Sequence, residues 1–207
     1  MFKRCAILCS VFLISLTLAL TPALAEKSPE AEAFVMDVAN KVIEILSYET
    51  AIEKEDAFRN LLNEQANLKR IAAFTLGKYR RQLTPSELQE FQTLFETMIT
   101  KVYANRLGSY DDQQIVVLGS EKKKKDYLVE TELRFTDGSD PIAIVWRLRE
   151  EKDGRITLFD LRVLGIWMAL EQRETFLSIL KNNNEDFNVL LDNLRQQIAA
   201  GSSEISD

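Results

Sequence analysis

Apolar positions recur every three or four residues through the first part of the chain and through its last part, and alternate with polar ones in between. Ser28-Pro29-Glu30 places a capping hydroxyl, a first-turn proline and a first-turn acid at the start of a helix. Its apolar face is Phe34, Val35, Val38, Val42, Ile45 and Leu46. A second helix is expected from about Ile52 to Glu64, with Phe58, Leu61 and Leu62 on one side. A third, shorter one carries Leu68, Ile71, Ala72 and Phe74 and stops at Gly77. Thr84-Pro85-Ser86-Glu87 has the spacing of a capping box with proline at the first helical position. The stripe behind it runs from Leu88 through Phe91, Leu94, Phe95, Met98, Ile99, Val102 and Tyr103 to Leu107. It is wider than a surface helix requires, so something substantial covers it.

At Gly108 the period changes to two. Ile115 and Val117 mark a short strand. Tyr127, Val129, Thr131, Leu133 and Phe135 then alternate with Glu130, Glu132 and Arg134. After the turn cluster at Asp137-Gly138, a strand carries Ile142, Ile144, Trp146 and Leu148 opposite Arg147 and Arg149. Beyond Lys152-Asp153-Gly154, the last strand is expected to carry Phe159, Leu161 and Val163 on one face and Asp160 and Arg162 on the other. Gly165 should end the sheet, with helical spacing resuming from Ile166 through Leu170, Phe176, Leu177 and Leu180. Asn182 to Asn184 interrupt it before a final helix with Phe187, Leu190, Leu191, Leu194 and Ile198. Helices, then an antiparallel meander, then helices make an α+β layout.

The N-terminus stands apart from that pattern. Lys3 and Arg4 precede an apolar run from Cys5 to Leu20, followed by Ala23-Leu24-Ala25. This is the form of an export signal cleaved after Ala25, and the run is short for a membrane span. The expected domains are residues 1–25 as signal peptide, 26–201 as one domain and 202–207 as a flexible tail. Cleavage removes both cysteines, Cys5 and Cys9, so the mature protein has neither disulfide nor thiol chemistry. The whole chain has no histidine, which removes the commonest general base and metal ligand together. Lys3 and Arg4 are the signal's only charges, so the mature chain loses two of the precursor's 26 cations and carries −8 instead of −6. That charge disfavours nucleic acid and anionic lipid surfaces as partners.

No phosphate-cradling glycine loop, metal-ligand spacing or Gly-x-Ser-x-Gly elbow is present, so no catalytic residue, metal or cofactor is assigned. Asp160 is the carboxylate of most interest, read first as a salt-bridge partner. The run Lys122 to Lys125 reads as a solvated hairpin tip, and Arg173 as a structural bridge.

Several segments, taken together, resemble the MlaC family of periplasmic phospholipid-binding proteins, also called the toluene-tolerance family. They are Leu68 to Tyr79, Leu83-Thr84-Pro85 to Phe95, Tyr103 to Leu107 leading to Tyr110, and the strand ending at Trp146. Asp160-Leu161-Arg162-Val163-Leu164-Gly165 and Gln172 to Phe176 complete the set, which keeps its order from about residue 30 to 195. Trp167 departs from the family's small hydroxyl residue, and Asn182 to Asn184 from its turn glycine. The resemblance implies helices packed on a curved antiparallel sheet, NTF2-like, with a small helical subdomain. It also implies a monomeric carrier, not an enzyme, which holds phospholipid acyl chains in an apolar cavity. Its implied partners are an inner-membrane ABC transporter with an MCE-domain subunit and an outer-membrane lipoprotein–porin complex. The matching motifs and inward faces suggest a lipid-binding lining of Phe74, Tyr79, Phe91, Phe95, Met98, Tyr103, Val129, Leu133, Ile144, Trp146, Leu148, Phe159, Leu161 and Val163. Two alternatives are a hopanoid-type carrier resembling the HpnM group, and an NTF2-like enzyme that uses Asp160 on a small apolar substrate.

Overall fold

A computed structural model describes residues 27–106 and 113–203. The segment 1–25, Leu107 and Tyr110 lie outside these residues, as does the side chain of Tyr103. The helices are α1 (Pro29–Leu46), α2 (Ala51–Gln65), α3 (Leu68–Thr75), a 3-10 turn (Gly77–Arg81), α4 (Pro85–Arg106), α5 (Met168–Asn182) and α6 (Phe187–Ser203). The strands are β1 (Gln114–Lys123), β2 (Asp126–Arg134), β3 (Ile142–Glu150), β4 (Ile156–Val163) and β5 (Ile166–Trp167). They form one antiparallel sheet in chain order, so the α+β expectation holds.

Local sequence places the helix starts. The Ser28 hydroxyl accepts from the Ala31 amide, with Pro29 opening α1. The Thr84 and Glu87 side chains bond each other's backbone amides, closing the expected capping box on α4. Gly77 ends α3 with φ +55, and a Cβ there would meet the Arg173 guanidinium at 3.0 Å.

Three apolar clusters hold these elements. Ala31, Val35 and Val38 of α1 cover one sheet face, made of Tyr127, Val129, Trp146 and Leu148. The Trp146 indole donates to the Thr131 hydroxyl at 2.9 Å, which satisfies its only polar atom in that core. A second cluster joins α3, the 3-10 turn, α4, α5 and α6 through Leu76, Tyr79, Phe91, Phe95, Met98, Phe176, Leu180, Leu190 and Leu194. It is the cover that the wide stripe of α4 required. Ile45, Phe58, Leu61 and Ala104 form a third, smaller one between α1, α2 and α4.

Two features of the last strands differ from the sequence reading. First, β4 carries a bulge. Arg147 pairs with Asp160 but Leu148 pairs with Leu158, leaving Phe159 without a partner in the register. Leu158 therefore joins Leu161 on the α1-covered face. Phe159 turns to the opposite face, where its ring lies 4.1 Å from the Arg149 guanidinium and 5.3 Å from that of Arg147. Simple alternation put Phe159 with Leu161 and Val163; the extra residue reverses its side. Second, Gly165 does not end the sheet. Leu164 (φ 50) and Gly165 (φ 86) make a two-residue hairpin turn, and Ile166 pairs back onto Val163 before α5 begins.

Leucine is an unfavourable occupant of that turn. It adopts a left-handed backbone that favours Asn or Gly, with its side chain 73% exposed. Leu164→Asn is expected to raise stability by about 1 kcal/mol, seen as a higher urea midpoint at unchanged m-value. A lower midpoint would mean that the leucine makes contacts worth more than its backbone strain.

Candidate functional site

An apolar cavity lies where α2, α3, α4 and the start of α5 meet strand β4. Phe58 and Leu62 come from α2, Ala66 and Leu68 from the α2–α3 junction, Ile71 from α3, and Phe95 and Ile99 from α4. Strand β4 adds Leu158, Phe159, Asp160 and Leu161, and α5 adds Met168, Ala169 and Gln172. Its volume is about 130 Å³, and among the described residues Asp160 and Gln172 are the only polar side chains on its wall. The β4 bulge shapes this site: with two residues opposite Arg147, both Phe159 and Asp160 reach the wall, flanked by Leu158 and Leu161.

Of the fourteen residues suggested by sequence, the thirteen whose side chains are described separate into distinct places. Phe95, Phe159 and Leu161 are on the cavity wall. Tyr79, Phe91 and Met98 lie in the helical core, where the Tyr79 hydroxyl donates to Glu185 at 3.0 Å. Val129, Trp146 and Leu148 are buried beneath α1, with Ile144 packed against them. Leu133 and Val163 are half-buried at the Ile142 end of the β2–β3–β4 register. Phe74 packs edge-on to Phe159, with ring centroids 5.4 Å apart. The cavity residues that sequence did not assign are chiefly aliphatic side chains of α2 and α3 and the first turns of α5. Phe58, Leu62, Leu68 and Ile71 were legible as helix faces, but periodicity does not say which face borders a space.

Asp160 is 5% exposed and carries out a structural task. Its Oδ1 accepts from the amides of Leu161 and Ala169, both at 2.8 Å. The N-cap of α5, Trp167, provides no side-chain cap, so the carboxylate of β4 takes that role from across the hairpin. The expected salt bridge is replaced by backbone amides. Burial pushes the Asp160 carboxyl above its ordinary value of 3.8, and the Ala169 and Leu161 amides and the Arg147 charge only partly offset this. The folded protein thus holds this proton more tightly than the unfolded chain. Its contribution to stability is fully present below the unfolded pKa and declines as pH rises through the raised folded value. Asp160→Asn keeps an acceptor and removes the titration, so stability measured by urea unfolding should lose that decline. Asp160→Ala should cost about 1–3 kcal/mol at all pH values, because two amides lose their acceptor. Identical pH profiles for wild type and Asp160→Asn would exclude this linkage.

An aromatic and cationic column flanks the cavity. The Arg173 guanidinium lies 5.0 Å from the Phe74 ring and donates to the Phe74 carbonyl at 3.0 Å. Phe74 meets Phe159, and Phe159 lies against Arg149. Arg147 and Arg149 both donate to Asp126, whose carboxyl burial pushes up but the two arginines hold below its usual range. Arg173 is thus the structural bridge expected from sequence. The lysines from Lys122 to Lys125 are exposed at the β1–β2 turn, as a solvated tip should be.

Among the described residues no helix is long and apolar enough to cross a membrane. The profile of the MlaC protein family matches residues 36–196. No curated protein matches the sequence. Among solved structures, a phospholipid-binding protein from Ralstonia solanacearum, in complex with a phospholipid, is similar at a TM-score of 0.72. The two are 18% identical, and the match covers 83% of this chain and 98% of that one.

Proposed function

Because the chain belongs to the MlaC family, we propose that it is an exported carrier of glycerophospholipid that shelters acyl chains in the cavity beside β4. The observation that carries this reading is the cavity itself: a wall of aliphatic and aromatic side chains whose one carboxylate is engaged by backbone amides. The phospholipid bound by the Ralstonia solanacearum neighbour supports the same ligand class. Drawing two chains of about thirty methylenes through water would cost on the order of 25 kcal/mol, at ~0.8 kcal/mol each. A carrier meets that requirement with apolar contact alone and needs no catalytic group. The engagement of Asp160 also argues against an enzyme built on that residue.

At 130 Å³ the cavity resembles an engineered site that holds a benzene-sized molecule, and sites for drug-sized ligands are about 300–1,000 Å³. Accepting acyl chains therefore requires the cavity to widen. Residues 1–25 act as the export signal in this reading, and residues from 26 form the working carrier. It would exchange lipid with an inner-membrane ABC transporter that has an MCE-domain subunit and with an outer-membrane lipoprotein–porin complex.

Native mass spectrometry of the mature protein from the periplasm, followed by lipid extraction, tests the proposal. A near-equimolar glycerophospholipid is expected. A polycyclic lipid would transfer the protein to the hopanoid-type reading, and a protein that stays empty after incubation with phospholipid would refute carriage altogether.

A further inference from the structure

Helix α3 separates two spaces of opposite chemistry. Leu68 and Ile71 face the apolar cavity, while Lys69, Arg70 and Phe74 face a groove of about 540 Å³ on its other side. Arg80 and Arg149 complete the basic lining of that groove, and among the described residues no carboxylate lines it. Four cations around one concavity are notable in a chain of formal charge −6. Two of them are partly engaged: Arg70 bonds Glu151 through Nη2, and Arg149 bonds Asp126 through Nε and Nη2. Their remaining N–H groups are still donors. Lys69 and Arg80 are exposed and make no ion pair among the described residues. Phe159 belongs to both walls, so the groove and the cavity meet across a single ring.

We propose that this groove is an anion subsite that holds the phosphodiester of the lipid whose acyl chains enter the cavity. The inference rests on the carrier reading and adds to it the place and chemistry of headgroup recognition. An amphipathic ligand with one anionic centre at the root of its apolar chains matches a cationic groove joined through one aromatic side chain to an apolar cavity. Guanidinium groups suit phosphate oxygens because their N–H donors are fixed in a fork. The Phe74 and Phe159 rings keep Arg149 and the floor of the groove in position. Because Lys69 and Arg80 are solvent-exposed, the attraction is moderate and weakens with salt. Moderate attraction suits a carrier that must release its lipid.

The test compares wild type with the double variant Lys69→Gln/Arg80→Gln, which removes two exposed charges and no buried contact. Affinities for dihexanoyl-phosphatidylglycerol and for dihexanoylglycerol, which lacks the phosphate, are measured by calorimetry, and sn-glycerol 3-phosphate is titrated by phosphorus NMR. The variant should lose about tenfold in affinity for the phospholipid and little for the diacylglycerol, and the phospholipid difference should shrink at high salt. Equal losses for both lipids, or none, would overturn the subsite while leaving the carrier reading intact. Should wild type bind neither lipid, the carrier reading fails by itself and glycerol phosphate decides the groove. A phosphorus shift lost in the variant would establish a site for free phosphate esters, and the absence of any shift in wild type would overturn it.

Discussion

Ile99→Trp should abolish phospholipid loading, reducing the lipid that accompanies the purified protein at least tenfold. Ile99 lines the cavity one turn beyond Phe95 on α4, a helix held in place by the aromatic core against which both side chains pack. The larger ring system would take up much of the space of about 130 Å³ into which the proposed carrier draws acyl chains. Because the side chain expands into a cavity, overpacking should cost no more than about 1–3 kcal/mol, and the variant should still unfold cooperatively. Ile99→Ala gives the converse: an enlarged cavity that still accepts lipid, with some loss of stability from lost contacts. Full loading of a folded Ile99→Trp variant would place the lipid elsewhere and remove this cavity as the carrier site.

Phe91→Ala is expected to have the largest effect on stability, about 3–5 kcal/mol. Phe91 is 0% exposed and its ring meets Phe95 at 5.9 Å, Phe176 at 5.7 Å and Phe187 at 6.0 Å. The last two contacts join α4 to α5 and α6, and each of the three contributes about 0.5–1.5 kcal/mol beyond the buried area. Against a typical total of about 5–15 kcal/mol, their loss leaves a marginal protein. Urea denaturation measures the change, and a loss below about 1 kcal/mol would mean that the cluster closes around the gap. Phe91 does not line the cavity, so the lipid bound per folded molecule should stay unchanged. The two variants thus separate ligand space from core, a distinction that the α4 stripe alone does not make.

Both lie on one helix, and their different roles illustrate how much was legible before the structure. The α4 stripe and its capping box are local: Thr84 and Glu87 are three residues apart, so their mutual bonds follow from helix geometry. The same holds for Ser28-Pro29 and for the break at Gly77, whose left-handed backbone needs only its own missing Cβ. Alternation located β2 and β3 because each has a face pressed against α1. Composition was equally direct, since the absence of histidine is a fact of sequence and needs no fold.

What tertiary structure decided was everything that depends on two distant segments meeting. Hydrophobic periodicity reports that a face avoids water, but a tightly packed core and an apolar cavity satisfy it equally. Phe91 and Ile99 therefore looked alike, and the division came from where α2, α3 and α5 stop short of β4. The bulge at Phe159 is a mismatch between β3 and β4, so neither strand reveals it by itself, yet it moves an aromatic ring to the other face and places Asp160 on the cavity wall. Asp160 read as an ion pair because sequence offers only charges as partners. The fold brought it the amide of Ala169, nine residues on, after the Leu164-Gly165 turn reversed the chain. Sequence thus determined the elements, their caps and the chemistry excluded, because these are short-range. The relative placement of helices and sheet determined the cavity, because empty space belongs to no residue.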